Sequence, residues 1–270
     1  MTDTLSSNTI HAFDVLAPEY DETFESSIIT QHIRSVISKN ILQCFKAGQH
    51  VLDINCGTGT DAIILAKHGI HVIAVDASAK MIDMTRSKSI QHGVEKMITA
   101  HALSFENLRS LNTGTYDGII SNLGGLNCTN DLKQIAEESY NLVKPQGIFI
   151  ACVMNKICLW EIISFLLRGK LSSAFRRSSD RAVDVNLGGT NVPTWYYTPR
   201  EFAKQFSPWF KLERIYGVNI LSPTPNSKSF STKYEQLTFN LLELDNVVRN
   251  YFPFYSLGDH FVVEMRSLKK

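Results

Sequence analysis

The stretch VLDINCGTG (residues 51–59) ends a short apolar run in a carboxylate, Asp53, and follows it with Gly57 and Gly59. Glycines in such a turn let a ligand lie against the backbone, and the helix that opens beyond them offers unpaired N–H groups. A dinucleotide site would carry G-x-G-x-x-G, with a pyrophosphate over that helix N-terminus. Here the line is D-x-N-x-G-x-G, with an acid where the first glycine would stand. A carboxylate repels a pyrophosphate and attracts an ammonium group, which argues against a nicotinamide dinucleotide. A second apolar run, HVIAVD (71–76), ends in Asp76. At a strand tip this side chain can accept hydrogen bonds from both hydroxyls of a ribose. Met81, one turn into the next helix, is placed either against a purine ring or in the core.

The periodicity supplies the elements that must position these groups. Residues 1–47 read as helical, with Ile28, Ile29, Ile33, Ile37 and Leu42 spaced for one face. HVLDI (50–54) reads as a strand and DAIILAKHG (61–69) as a helix closed by Gly69. Strands follow at 71–76, 98–102, 116–122 and 147–154, with helices over 77–93 and 130–143. Short apolar strands alternating with helices predict a parallel sheet covered on both faces, doubly wound by right-handed crossovers. The rhythm breaks over 155–192, where the apolar helix KICLWEIISFLLRGK leads into the basic SSAFRRSSDR. Thr198 then serves as N-cap and Pro199 as the first residue of a helix. A strand over 210–221, a Pro/Ser-rich loop over 223–233, a helix over 234–250 and a strand over 260–266 complete the chain.

With 44% hydrophobic and 20% charged residues in 270, the composition is that of a globular chain with a full core. The net charge of +1 gives no global field for DNA or an acidic membrane. Five cysteines without a CxxC pair read as reduced thiols, with no metal-ligand spacing. The N-terminus lacks the basic-then-apolar pattern of a signal peptide, and no run reaches the ~18 apolar residues of a membrane span. The expectation is a soluble, cytoplasmic protein.

Taken in order, VLDINCGTGTDAIILAKHGIHVIAVDAS-AKMI resembles the class I S-adenosylmethionine-dependent methyltransferases, small-molecule type. AFDVLAPEYD (12–21) is similar to that family's N-terminal "YD" segment. YDGIISNLGGLN (116–127) is similar to its fourth-strand motif, and LVKPQGIFI (142–150) to its "L-K-P-G-G" turn. The resemblance implies a Rossmann-like, doubly wound α/β fold with a seven-stranded, mostly parallel sheet and an antiparallel last strand. It also implies S-adenosyl-L-methionine as cofactor. Asp53 and the Gly57–Thr58–Gly59 turn would then hold its methionine part, and Asp76 with Ala77 its ribose. Met81, Ser104 and Phe105 would lie near the adenine, although ALSFENL lacks the family's acid. Asn122 and Leu123 would lie beside the sulfonium, and Tyr20 would close over the cofactor and share in catalysis. Asn55 replaces a glycine, a position where asparagine's tolerance of left-handed backbone angles would preserve the turn.

In such a fold the last strand starts at the active-site face, which brings Gly258, Asp259 and His260 there. His260 is the candidate general base, with His11 and Tyr197 as alternates. Asp259 need not pair with it, since neighbouring strand residues point to opposite faces. Asn127, Trp160, Trp195, Tyr197 and His260 are the candidate acceptor contacts. CLWEIISFLL (158–167), Tyr196, Phe252, Phe254 and Tyr255 add apolar surface for a lid after strand five and a second lid segment. Arg168, Lys170, Arg176, Arg177 and Arg181 form a basic cluster that reads as a solvated loop, with an anionic acceptor, an acidic membrane face or RNA as the alternatives it could meet. The segments are 1–47 (helical, over the cofactor site), 48–154 (cofactor-binding core), 155–198 (lid insertion) and 199–270 (the rest of the core). The expected reaction is methyl transfer to an O, N or C nucleophile of a small hydrophobic or aromatic acceptor. Alternatives are an RNA or lipid/quinone methyltransferase, a nicotinamide-dependent oxidoreductase, or a non-catalytic binding protein. No RNA module is visible, DNA is excluded as a partner, and a homodimer is left open.

Overall fold

The computed structural model describes residues 7–25, 27–111 and 114–270; residues 1–6 and 26 of the expected N-terminal helical stretch lie outside these. In chain order the helices are α1 (Ser7–Leu16), α2 (Ile28–Cys44), α3 (Thr60–Lys67), α4 (Ala79–Gln91), α5 (Leu132–Leu142), α6 (Leu159–Leu166), α7 (Leu171–Ala174), α8 (Pro199–Phe206), α9 (Lys228–Lys233) and α10 (Glu235–Val248). The strands are β1 (His50–Asp53), β2 (His71–Asp76), β3 (Ile98–Ala102), β4 (Tyr116–Ser121), β5 (Val143–Met154), β6 (Val183–Leu187), β7 (Thr190–Thr194), β8 (Phe210–Val218) and β9 (His260–Ser267). Seven of them form one sheet in the order β3-β2-β1-β4-β5-β9-β8. β9 pairs antiparallel with both neighbours, while β1 to β5 pair in parallel. This is the doubly wound, Rossmann-like sheet that the alternation predicts.

Its strands are nearly all apolar because both faces are covered. Leu52, Phe149, Ala151 and Val263 point to one face, under Ile135 of α5 and Phe202 and Phe206 of α8. Val51, Ile150, Cys152 and Val262 point to the other, under Ile29, Ile33 and Ile37 of α2 and Leu65 of α3. The period of two along each strand delivers one residue to each layer in turn. The strand order reverses at β1 and β4, whose carboxyl ends leave the crevice where open α/β sheets take ligands.

The structure departs from expectation in two places. The segment 183–194 is a hairpin of β6 and β7, turned at Gly188 and Gly189, whose φ angles are +57° and +88°. Two left-handed residues are what a two-residue hairpin turn requires, and Gly-Gly between VDVNL and TNVPT was the available signal. The second departure lies in the expected loop over 223–233, whose C-terminal half is helix α9. Trp160 of α6 packs on Phe230 at 4.9 Å and donates its indole N–H to Ser227 Oγ at 3.1 Å, so tertiary anchoring overrides the turn-rich composition.

Thr198 forms a full capping box with Glu201. Thr198→Ala should cost about 1 kcal/mol in urea unfolding with the fold otherwise unchanged.

Candidate functional site

A cavity of about 300 Å³ opens over the carboxyl ends of β1, β2 and β4. Its floor is the turn after β1, and hydrogen bonds to neighbouring strand tips fix that turn. Gly57 N–H donates to Asp76 Oδ2 at 2.9 Å, and Asp76 Oδ1 accepts from Ser78 N–H at 2.9 Å. Gly57 has φ +55°, and a Cβ there would meet no atom within 4 Å; the backbone borders open space. Gly59 serves a different purpose. At φ +80° it caps α3, and a Cβ would meet Thr85 Cγ2 of α4 at 2.6 Å, so its lack of a side chain allows close helix packing.

Asn55 does not have the left-handed backbone expected of it. Its side chain explains its presence: Nδ2 donates to Asn122 O at 2.7 Å, and Oδ1 accepts from the Ser121 hydroxyl. It ties the turn after β1 to the tip of β4. There the backbone is strained instead at Leu123, a branched residue held at φ +50°. Asn122 itself donates to Asp61 Oδ2 at 2.8 Å, and the Arg34 guanidinium donates to the same oxygen at 2.9 Å.

Carboxylates crowd this end of the cavity. Asp61 and Asp76 line it, and Asp53 lies buried behind the turn, 1% exposed. Burial pushes the Asp53 carboxyl well above its usual value, and the charges of Asp61 and then Asp76 push it in the same direction. Burial also raises Asp76, against the pull of the Ser78 and Gly57 N–H groups. The N-terminal segment closes over this end. Asp21 accepts from the Lys88 ammonium at 2.6 Å and from the Thr58 hydroxyl, and Lys88 reaches Thr60 Oγ1 at 2.9 Å. That latch holds Tyr20 and Phe24 along the cavity wall.

Of the residues the sequence singles out, Tyr20, Asn55, Gly57, Thr58, Asp76, Ala77, Met81, Phe105, Asn122, Leu123 and His260 line the cavity. Asp53, Gly59 and Ser104 stand behind it, with the Ser104 hydroxyl capping the short helix that begins at Phe105. The expected acceptor contacts Asn127, Trp160, Trp195 and Tyr197 do not line the cavity. Asn127 bridges Met154 and Trp195 through backbone hydrogen bonds, and its amide donates to Trp195 O at 2.6 Å. Tyr197 donates its hydroxyl to Thr129 O at 2.6 Å. His11, the other alternate base, is exposed on α1 outside the cavity. Among the lid aromatics it is Tyr196 that lines the cavity, joined by Val185, Leu187 and Val192 of the hairpin and Ile10, Phe13 and Leu16 of α1.

The basic cluster also divides. Arg168, Lys170 and Arg181 are exposed, whereas Arg177 is 6% exposed and turned inward. Arg177 Nη2 donates to Glu161 Oε2 at 2.6 Å and to Asp259 Oδ1 at 2.8 Å, and its guanidinium sits 5.0 Å over the Tyr196 ring. Arg176 pairs with the other Glu161 oxygen. Asp259 precedes β9, so strand alternation does not separate it from its neighbour. His260 Nδ1 lies 3.2 Å from Asp259 Oδ2, an ion-pair distance without hydrogen-bond geometry. Although burial opposes it, the Arg177 guanidinium, with help from His260, holds the Asp259 carboxyl below the usual carboxylate range. The polar, basic run SSAFRRSSDR gave no sequence signal for this network, since its acids come from 161 and 259.

Comparison with known proteins agrees with this geometry. A family model described as a methyltransferase domain matches residues 45–187. An uncharacterized protein of Methanocaldococcus jannaschii is 30% identical over 213 residues, covering 77% of this chain and 78% of that protein. The ubiquinone/menaquinone biosynthesis C-methyltransferase of Zymomonas mobilis is 30% identical over 127 residues, 46% of this chain and about half (49%) of that one. The CcbJ methyltransferase of Streptomyces caelestis shares the fold with a TM-score of 0.62 at 16% identity, over 95% of this chain and 97% of its own. The chain belongs to the methyltransferase domain family, and its fold is that of the class I enzymes. Among the described residues no helix is long and apolar enough to cross a membrane.

Arg177→Met leaves Glu161 and Asp259 buried with one cation fewer between them. It should lower unfolding stability by about 3–5 kcal/mol, measured in urea at pH 7. Because the Asp259 carboxyl is depressed in the fold, its contribution is complete above the unfolded value of about 3.9 and is lost as pH falls through the lower folded value. The stability gap between the parent and Arg177→Met should therefore be full near pH 7 and narrow as the pH falls below about 3.9.

Proposed function

We propose that the protein is an S-adenosylmethionine-dependent methyltransferase acting on a small acceptor with an apolar or planar body and a protonated O or N nucleophile. The observation that carries this reading is the charge at the glycine turn. Asp53, Asp61 and Asp76 surround it with Arg34 as the facing cation, a net negative site that suits a cationic cofactor and repels a pyrophosphate. The residues present fit the group. Asp76, already oriented by two backbone N–H donors, would take the ribose hydroxyls, and the open face of Gly57 would admit the cofactor chain. Asp61 would attract the ammonium and Arg34 the carboxylate, while Ala77, Met81 and Phe105 would flank the adenine. Bound there, the cofactor supplies a methyl group on a sulfonium, already activated for in-line displacement.

The chain's own work is then alignment, exclusion of water and proton removal. α1 and the β6–β7 hairpin wall the acceptor end with Phe13, Leu16, Val185, Leu187 and Val192, a surface for an apolar body. The quinone-pathway relative acts, by its name, in ubiquinone/menaquinone biosynthesis, and a hydrophobic aromatic acceptor agrees with this wall. His260 is the proposed base, taking the acceptor's proton on the ring nitrogen not facing Asp259. Asp259, held by Arg177, stabilises the imidazolium that results. In this reading α6, α7 and the hairpin form a lid.

Calorimetry should detect S-adenosylhomocysteine binding of roughly −8 kcal/mol and none for NAD. Asp76→Ala should weaken it by about 2–4 kcal/mol; unchanged affinity there would remove the ribose assignment. Since a bound cation favours ionised carboxylates whose values the fold raises, affinity should fall as the pH is lowered. His260→Ala should lower turnover by about 10²–10⁴-fold with cofactor affinity preserved. Full turnover in that variant would mean that the nucleophile loses no proton to this residue.

A further inference from the structure

A second recess, of about 410 Å³, lies on the other flank of α2 from the cavity. Its walls carry His32 and Lys39 from α2, Arg214 from β8 and Arg249 at the end of α10, with Asn40 and Asn246 between them. No carboxylate lines it, in a chain whose net charge is only +1. Arg214 is partly compensated: its Nη1 donates to Glu264 Oε1 at 3.3 Å and to Asn40 Oδ1 at 3.0 Å. Arg249 donates from Nη1 to Asn246 Oδ1 at 3.1 Å, a neutral partner, and its Nε is buried with no partner. Both guanidinium groups lie over the Tyr216 ring, at 4.9 and 6.0 Å.

Arg214 has Glu264 as a counter-ion, but Arg249 pairs with a neutral amide and the exposed Lys39 borders the same recess, so an anion entering it meets cationic charge that is only partly balanced. Burial, with Arg214 adding to it, pulls Arg249 below its usual value. A buried N–H donor with no acceptor adds a cost of its own. We infer that this recess binds an oxyanion, the phosphate or pyrophosphate group of a small soluble ligand. Planar guanidiniums match the oxygen spacing of such a group, the Lys39 ammonium adds a mobile point charge, and the amides supply neutral hydrogen bonds. The site is separate from the proposed cofactor pocket and does not depend on that reading. Yet α2 joins the two: Thr30, Ile33 and Arg34 line the cavity, while His32 and Lys39 face the recess.

The test is a calorimetric titration of sodium pyrophosphate into the full chain, with ionic strength held constant by chloride. Saturable one-to-one binding is expected. Lys39→Gln, a change at an exposed position that leaves the fold alone, should weaken it about 5-fold, and Arg249→Lys about 10-fold. The His32 imidazole gives an independent readout by NMR. Burial lowers it, Glu243 and Asp245 raise it, and Arg249 lowers it, so a bound anion should move its titration upward. Lack of saturation, or equal affinity in Lys39→Gln, would overturn the assignment. So would binding that is lost in Arg176→Gln, because the anion would then sit in the main cavity. Binding of a short RNA without binding of pyrophosphate would likewise contradict a small-ligand site.

Discussion

The hydrogen bond from the Gly57 N–H to Asp76 ties the turn after β1 to the tip of β2, and the site is shaped around it. It turns the carboxylate into the wall of the crevice and holds the glycine backbone open toward it. Asn55 makes the corresponding tie to β4 through Asn122 and Ser121. Together these bonds make one rigid rim from loops that follow three different strands. The rim keeps its carboxylates close together, and burial first, then the charges of Asp61 and Asp76, raise the Asp53 carboxyl. A preorganised negative rim binds a cation without rearrangement, the circumstance in which electrostatic recognition is most effective.

The opposite end of the cavity is held by Arg177. It joins α6 through Glu161, the start of β9 through Asp259, and the Tyr196 ring by a cation–π contact. An insertion that would otherwise be a loose flap is thus locked to the central sheet beside His260. A buried ion network of this kind contributes little net stability compared with an apolar core, but removing one partner is costly. Its value lies in fixing position: the imidazole and the apolar wall of the hairpin keep a constant relation to the glycine turn.

The sheet was legible in the sequence because burial on both faces leaves strands as uninterrupted apolar runs; β2 and β3 fall where HVIAVD and ITAHA predict them. Many of the residues that line the cavity were legible for a related reason, since strand tips and the turn after β1 are fixed by local sequence. What could not be read depends on long-range contacts. Asp61 on α3 meets Arg34 of α2, and Arg177 meets acids 16 and 82 positions away. The indoles Trp160 and Trp195 carry the composition of ligand contacts, yet neither lines the cavity, and Trp160 packs on Phe230 instead. Gly59 and Asn55 also serve contacts that the local sequence does not announce, Gly59 in close packing on Thr85 and Asn55 in bridging to Ser121 and Asn122.

The central claim is that this cavity is a nucleoside cofactor site for S-adenosylmethionine. Two methionines, Met81 and Met154, line it, while Met97 and Met265 lie in the packed interior or at its edge. Methyl NMR of the methionine-labelled protein during titration with S-adenosylhomocysteine tests the claim directly. The account predicts saturable shifts of the Met81 and Met154 methyl signals, with Met97 and Met265 unmoved and no response to NAD. Shifts induced by NAD at Met81, or S-adenosylhomocysteine binding that leaves both cavity methionines unchanged, would contradict it.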